Sequence, residues 1–235
     1  MTDKNLPPEP TAFAHVSDWV FDLDNTLYPR SIDLFSQIDR KMTEYVRQLL
    51  GLDHDAARGI QKKYYRDHGT TLQGLMLNHG VDPNDFLEKV HDIDYSWVRP
   101  DPALGAAIKA LPGRKFIFTN GDTPHAERTA RALGILDHFD DIFDIIAADF
   151  MPKPAPETYG RFLDKHGVRK EQAAMFEDLP RNLLAPHQLG MRTVLIVPSN
   201  LDVVLDEVWE HEGKDGAHIH HVTDDLASFL KAITD

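Results

Sequence analysis

The sequence predicts an α/β fold: a parallel sheet covered by helices on both faces, with a block of helices inserted after the first strand. Three observations lead there. A short apolar run, Trp19 to Leu23, reads as a strand buried on both faces. Helical periodicity then fills Ile32 to about Val98, with no strand signal of comparable strength. From Pro100 onward strand and helix alternate, the pattern of a parallel sheet with helical crossovers.

Taken in order, the N-terminal "MTDKNLPPEPTAFAHVSD" lacks the basic start and apolar centre of a secretory signal, and residues 1–15 are expected to form a mobile tail. After the first strand, Asp24-Asn25 breaks the apolar pattern. In the insertion Ile32, Phe35, Ile38, Met42, Tyr45, Val46 and Leu49 recur at three- and four-residue steps, and Gly51 follows as a stop. Helical core packing accounts best for Tyr64, Tyr65 and Tyr95. A helix over Pro102 to Leu111 leads to a strand in "KFIFTNG". A helix from Pro124 to Leu133 follows, with Thr123 as its N-cap. "IIAADF" (145–150) gives a weak strand. Then come a helix from Glu157 to His166, the strand "AAMFED", a helix from Asn182 to Leu189 and the strand "RTVLIV". "HIHH", His218 to His221, reads as an edge strand rather than a metal tract, before the helical "DDLASFLKAI". The organisation expected is a Rossmann-like core made of 16–30 and 99–235, with a helical cap over 31–98.

Composition narrows the function classes. In 235 residues, 42% are hydrophobic and 27% charged, as in ordinary globular proteins. No apolar run approaches the roughly 18 residues that span a bilayer. The absence of Cys rules out disulfide and thiolate chemistry and makes a cytoplasmic location the expectation. A formal net charge of −13 argues against nucleic-acid polymers and anionic membrane surfaces. It leaves room for a small phosphate ester, because a bound cation can reverse the field locally.

In an open parallel sheet the ligand crevice lies beyond the carboxyl ends of the strands. Polar residues should therefore be sought there. Asp22 and Asp24 follow the first strand, Thr119-Asn120-Gly121 the second, Lys153 the loop after the weak strand, and Glu177-Asp178 the strand beyond it. The fold would bring them to one rim. An Asp-x-Asp after a strand is by itself more often a turn or a cap, and a lone lysine more often solvated. Their joint order is what points to a site.

"DLDNT" after a strand, "FTNG", "KP" and "FEDLPRN", in this order, resemble the four motifs of the haloacid dehalogenase superfamily over about Val16 to Val197. The resemblance implies a cap of subfamily I in the position of the helical insertion. "YYRDHGTTLQGLM", "VHDIDYSWVRPDP" and "TNGDTPHAERTARALGI" are most similar to its pyrimidine 5′-nucleotidase branch.

Asp22 is then expected to be a nucleophile that attacks phosphorus, and Asp24 the acid that protonates the departing alkoxide and the base for the hydrolytic water. A cation, Mg²⁺ for its preference for oxygen ligands, would be held by the Asp22 side chain, the Asp24 carbonyl and Asp178, with Glu177 at the metal or one of its waters. Thr119, Asn120 and Gly121 would bind the oxygens of the transferred group. Lys153 would add positive charge there, and Asn182 would orient the shell behind. Thr70 and Thr71, in "GTTLQGL", are candidates for leaving-group selection. The function expected is a Mg²⁺-dependent phosphomonoesterase for a small phosphorylated metabolite, favouring a pyrimidine nucleoside 5′-monophosphate. A sugar-phosphate or phosphoglycolate phosphatase, a metal-independent haloacid dehalogenase and a non-enzymatic ligand-binding regulator of the same fold are the alternatives.

Overall fold

The computed structural model describes residues 9–198 and 208–234. Strands β1 (Asp18–Phe21), β2 (Arg114–Phe118), β3 (Asp141–Phe143), β4 (Ala173–Glu177), β5 (Arg192–Ile196) and β6 (His221–Thr223) form one sheet in the order β3-β2-β1-β4-β5-β6. Every neighbouring pair is parallel. This is the Rossmann-like sheet that the sequence predicts. Successive residues of a strand face opposite sides, and β1 shows why its run is continuously apolar. Trp19 and Phe21 enter the core on one face, whereas Val20 enters the core on the other.

Helices α5 (Pro102–Ala110), α6 (Thr123–Leu133) and α9 (Leu226–Thr234) cover the Trp19 face through Ile108, Ala130 and Leu230. Helices α7 (Pro156–His166) and α8 (Leu184–Leu189) cover the other through Phe162 and Ala185. Between β1 and α5 lie α1 (Phe35–Leu50), α2 (His54–His68), α3 (Thr71–His79) and α4 (Pro83–Val90). Their apolar stripes meet in a cluster of their own that includes Ile38, Val46, Leu75 and Leu87. The ends are set locally: Asp53, Thr70 and Asp82 accept from the first-turn amides of α2, α3 and α4, and Gly51 and Gly80 close α1 and α3 in the left-handed conformation. Among the described residues no helix is long and apolar enough to cross a membrane.

Several local expectations change. The strand expected over 145–150 lies instead at Asp141–Phe143, and 145–150 is a turn. Ile145 and Phe150 are apolar because they pack into the cluster of α1–α4, not because they pair in the sheet. The cap of α6 is Asp122, whose carboxylate accepts from His125 N at 2.9 Å, while Thr123 donates its hydroxyl to Asp144. A 3₁₀ turn, Pro180–Leu183, occupies the expected start of the helix ending at Leu189. Of "HIHH" only His221 enters the edge strand; His218 meets the Pro180 carbonyl and His220 meets Thr193. The tail expected over 1–15 falls outside the described residues as far as residue 8, but Phe13 is anchored, 3% exposed and packed against Trp19 and Phe229.

The turn into β2 depends on Gly113. Its φ is +82°, and a Cβ there would lie 2.2 Å from the Ser17 carbonyl oxygen. Gly113→Ala is expected to destabilise the protein by more than about 1 kcal/mol, seen as a lower urea midpoint at unchanged slope.

Candidate active site

Because β1 is central, whatever follows Phe21 emerges between the ends of β2 and β4. Asp22 continues the ladder by one residue, donating its N–H to the Phe176 carbonyl at 2.9 Å. Thr119 leaves β2, Glu177 ends β4 with Asp178 next to it, and Lys153 reaches in from the loop after β3. Lys153 is only 1% exposed. Its Nζ donates to Asp22 Oδ1 at 2.6 Å, to the Phe118 carbonyl at 2.9 Å and to Glu177 Oε1 at 3.2 Å, so all three ammonium protons are used. The main chain of Lys153 is fixed by Asn120, which accepts from Lys153 N at 2.8 Å and donates to its carbonyl at 3.2 Å. The sequence expects Asn120 to offer an amide to a phosphate; its side chain, in addition, holds the lysine.

The carboxylates compress one another. Burial, followed by the charge of Glu177, pushes Asp22 up to about 7 against the pull of Lys153. Burial and Glu177 likewise raise Asp178, opposed by Arg30, whose Nη2 lies 2.6 Å from Asp178 Oδ2. Burial disfavours the Lys153 ammonium, but Asp22 and Glu177 outweigh it, and its pKa is raised. Glu177 is held at both oxygens: Oε1 accepts from Lys153 and Asn182, and Oε2 from Asp178 N at 2.8 Å.

One oxygen from each of Asp22, Glu177 and Asp178 lies within 4.8 Å of the others. Three carboxylates facing one ammonium and one guanidinium leave negative charge in a buried place. An all-oxygen donor set of that charge fits a hard divalent cation such as Mg²⁺.

Asp24 stands in the turn after β1, which passes through the left-handed Asn25 (φ 60°). Its Oδ1 lies 3.0 Å from His125 Nε2 and accepts from the Tyr28 hydroxyl. Burial opposes its ionisation, yet the charge and hydrogen bond of His125 and the bond from Tyr28 hold it below the usual carboxylate range. Thr119 Oγ1 accepts from Gly121 N at 2.9 Å, which leaves its hydroxyl proton to donate. The Gly121 amide, assigned from sequence to a ligand, is spent on Thr119. Gly121 also gives room, since a Cβ there would stand 3.2 Å from His125 Cδ2 and 3.3 Å from Thr119 Oγ1.

A cavity of about 360 Å³ opens from Asp22, Asp24, Thr119 and Lys153 toward α1–α4, and Thr70 and Thr71 border it. Thr70 Oγ1 caps α3 by accepting from Gln73 N, and Thr71 Oγ1 donates to the Gln61 carbonyl at 3.3 Å. Sequence reasoning missed Arg30, Tyr28 and His125. Arg30 and Asp178 are 148 positions apart, and no spacing rule links them. His125 had a signal in the "PHAER" start of α6, where an interior-facing histidine sits on the first turn.

Residues 20–190 match the family model for hydrolases described as haloacid dehalogenase-like. The chain belongs to the haloacid dehalogenase-like hydrolase family. Phosphate metabolism protein 8 of Saccharomyces cerevisiae is 30% identical over 193 residues, covering 74% of this chain and 60% of that protein. The chain thus spans about 60% of the length of this curated relative. Among solved structures, CbbY from Rhodobacter sphaeroides in complex with phosphate superposes with a TM-score of 0.59 at 19% identity, covering 92% of this chain and 99% of that one. A phosphatase of the same family from Thermococcus onnurineus gives 0.58 at 17%, with 92% and 97% covered. L-2-haloacid dehalogenase from Xanthobacter autotrophicus gives 0.54 at 16%, with 93% and 98% covered. At these identities the three structures speak for the fold.

Lys153→Met would remove the cation bonded to both Asp22 and Glu177. Breaking a buried ion pair by taking away one partner is expected to cost about 3–5 kcal/mol, read as a shift of the urea unfolding curve.

Proposed function

We propose that this chain is a Mg²⁺-dependent phosphomonoesterase that hydrolyses a small phosphorylated metabolite, with a pyrimidine nucleoside 5′-monophosphate as the favoured substrate. The observation that carries this reading is the pair Asp22 and Asp24 set beside the carboxylates of the buried Glu177 and the half-buried Asp178. A haloacid dehalogenase needs a nucleophilic carboxylate but neither a second acid two residues on nor a cation site. The name of the yeast relative, Phosphate metabolism protein 8, and the phosphate bound to CbbY support the same class of substrate.

The Asp22 carboxylate attacks phosphorus, an Asp22 oxygen–phosphorus bond forms to give the acyl phosphate, and the bond to the leaving oxygen breaks as Asp24 hands that oxygen a proton. Asp24, now ionised, takes a proton from the water that hydrolyses the aspartyl phosphate, which frees inorganic phosphate and restores both carboxyl groups. Lys153 holds Asp22 by a 2.6 Å hydrogen bond and supplies fixed positive charge where the transferred group arrives. The Thr119 hydroxyl donates to a phosphate oxygen. Asp22, Asp178 and the Asp24 carbonyl would hold Mg²⁺, with Glu177 orienting the site. The ion supplies charge neutralisation of nucleophile and phosphate when bound.

Helices α1–α4 are read as a cap, with the leaving group in the cavity beneath them. Thr70, whose hydroxyl accepts from Gln73 N and keeps its proton, can donate there. Thr71 acts by holding α3 against α2.

With p-nitrophenyl phosphate, activity should require Mg²⁺, vanish with EDTA and be abolished in Asp22→Asn, which keeps the shape of the nucleophile and loses its charge. Turnover in exhaustively chelated buffer, or by Asp22→Asn at the wild-type rate, would overturn the reading. For substrate class, kcat/KM should rank UMP and CMP above AMP and GMP, and Thr70→Val should narrow that gap while p-nitrophenyl phosphate is hydrolysed as before, since a site that hydrogen-bonds its ligand discriminates through that donor. Purine nucleotides or sugar phosphates ranking first would defeat the nucleotidase assignment alone.

A further inference from the structure

Behind Asp24 the rim at the strands' carboxyl ends meets the chain leaving α4, and two imidazoles fill the junction. His125 is fully buried on the first turn of α6. Its Nε2 lies 3.0 Å from Asp24 Oδ1 and its Nδ1 lies 2.9 Å from the Tyr95 hydroxyl. With Nε2–H donated to Asp24, Nδ1 is held by the Tyr95 hydroxyl, which also lies 3.3 Å from the His91 carbonyl oxygen. His91 stacks on this ring, with centroids 4.5 Å apart and planes within 10°, and sets its Nδ1 2.9 Å from Asp122 Oδ1. The same Asp122 oxygen accepts from His125 N. On another side stands Gly121, where even a methyl group would crowd His125 Cδ2. The ring is therefore fixed by its own backbone, by a stacked neighbour and by a hydrogen bond at each nitrogen.

We propose that His125 is a positioning residue for Asp24, a proposal that rests on the phosphomonoesterase reading above. Asp24 Oδ1 receives two donors, Tyr28 and His125. An oxygen so occupied is a poor place for a proton, so the proton of the acid form resides on Oδ2, the oxygen left for the substrate. The two donors also fix the carboxyl plane. His125 thereby sets which oxygen of Asp24 delivers the proton and in what direction, while Tyr95 and His91, from the end of the helical insertion, hold His125.

The consequence depends on the leaving group. An alkoxide needs the proton of Asp24 as the phosphorus–oxygen bond breaks, whereas p-nitrophenolate departs without it. The ratio kcat/KM covers the steps through that bond cleavage and so isolates the acid role from the later base role. His125→Phe, which keeps an aromatic ring and removes both nitrogens, should lower kcat/KM for β-glycerophosphate about 10- to 100-fold, the usual loss when the partner that orients an active group is removed. The fall for p-nitrophenyl phosphate should stay within about 3-fold, because proton donation contributes little there. His125→Gln, whose amide can still donate to Asp24, should recover most of the β-glycerophosphate loss. Tyr95→Phe, which frees Nδ1 without touching the core of α6, should give the same selective loss, and it decides the matter if His125→Phe melts below the assay temperature. Equal losses on the two esters, or no gain from glutamine over phenylalanine, would overturn the role of His125 and leave the phosphatase reading intact. A wild-type protein inactive on both esters would overturn that reading and this proposal with it.

Discussion

Lys153 Nζ sits 2.6 Å from Asp22 and 3.2 Å from Glu177, and the rest of the site is organised around keeping it there. A buried ammonium survives only with its charge offset and all its protons bonded. The Phe118 carbonyl takes the third proton, which ties the ammonium to the end of β2. Asn120 fixes the lysine's backbone from the residue after Thr119. Asn182 and Asp178 N hold Glu177 from the far side of β4. Three strand ends and one loop are thus bound through a single nitrogen. The same arrangement loads the rim with more carboxylate than its cations neutralise, which is the condition for taking up a divalent ion.

The helical insertion reaches this rim by several routes. Ile145 and Phe150, in the loop that carries Lys153, pack among the apolar residues of α1–α4. The turn between α2 and α3 comes so near that a Cβ on Gly69 would meet Pro152 Cγ at 3.1 Å and the Lys153 carbonyl at 3.2 Å. The Tyr65 and Trp209 rings meet edge to face with centroids 5.0 Å apart, and the Arg181 guanidinium lies against both, at 4.8 and 4.7 Å, joining α2 to two segments outside the insertion. Tyr95 reaches His125 directly. Movement of the insertion therefore bears on the lysine loop and on the support of Asp24.

Much of this was legible in the sequence. The fully apolar β1, the alternation after Pro100 and the four motif positions at strand ends are local signals, and a parallel sheet needs little more to place its rim. What was not legible is side-chain commitment. Asn120 and Gly121 stand where the sequence expects ligand donors, but sequence does not tell that the Asn120 side chain also holds Lys153 or that the Gly121 amide bonds Thr119 Oγ1. The misplaced β3 has the same origin: an apolar run states that it is buried, not whether it pairs or packs. His125 and Arg30 act across 101 and 148 positions, on Asp24 and Asp178, and only the folded chain brings those residues together.

The order of the strands has a bearing on synthesis. Among the described strands β1 is made before the others, and it ends at the centre of the sheet, flanked by β2 and β4. Its partner in β4, Ala173, is made about 155 residues after Asp18, on the order of ten to thirty seconds later at usual elongation rates. During that interval Trp19, Val20 and Phe21 have both edges unpaired until β2 is made and one thereafter, and α1–α4, rich in local contacts, can form first. The nascent chain must shelter its central strand before the sheet exists, and the segment that waits is the one that ends in Asp22.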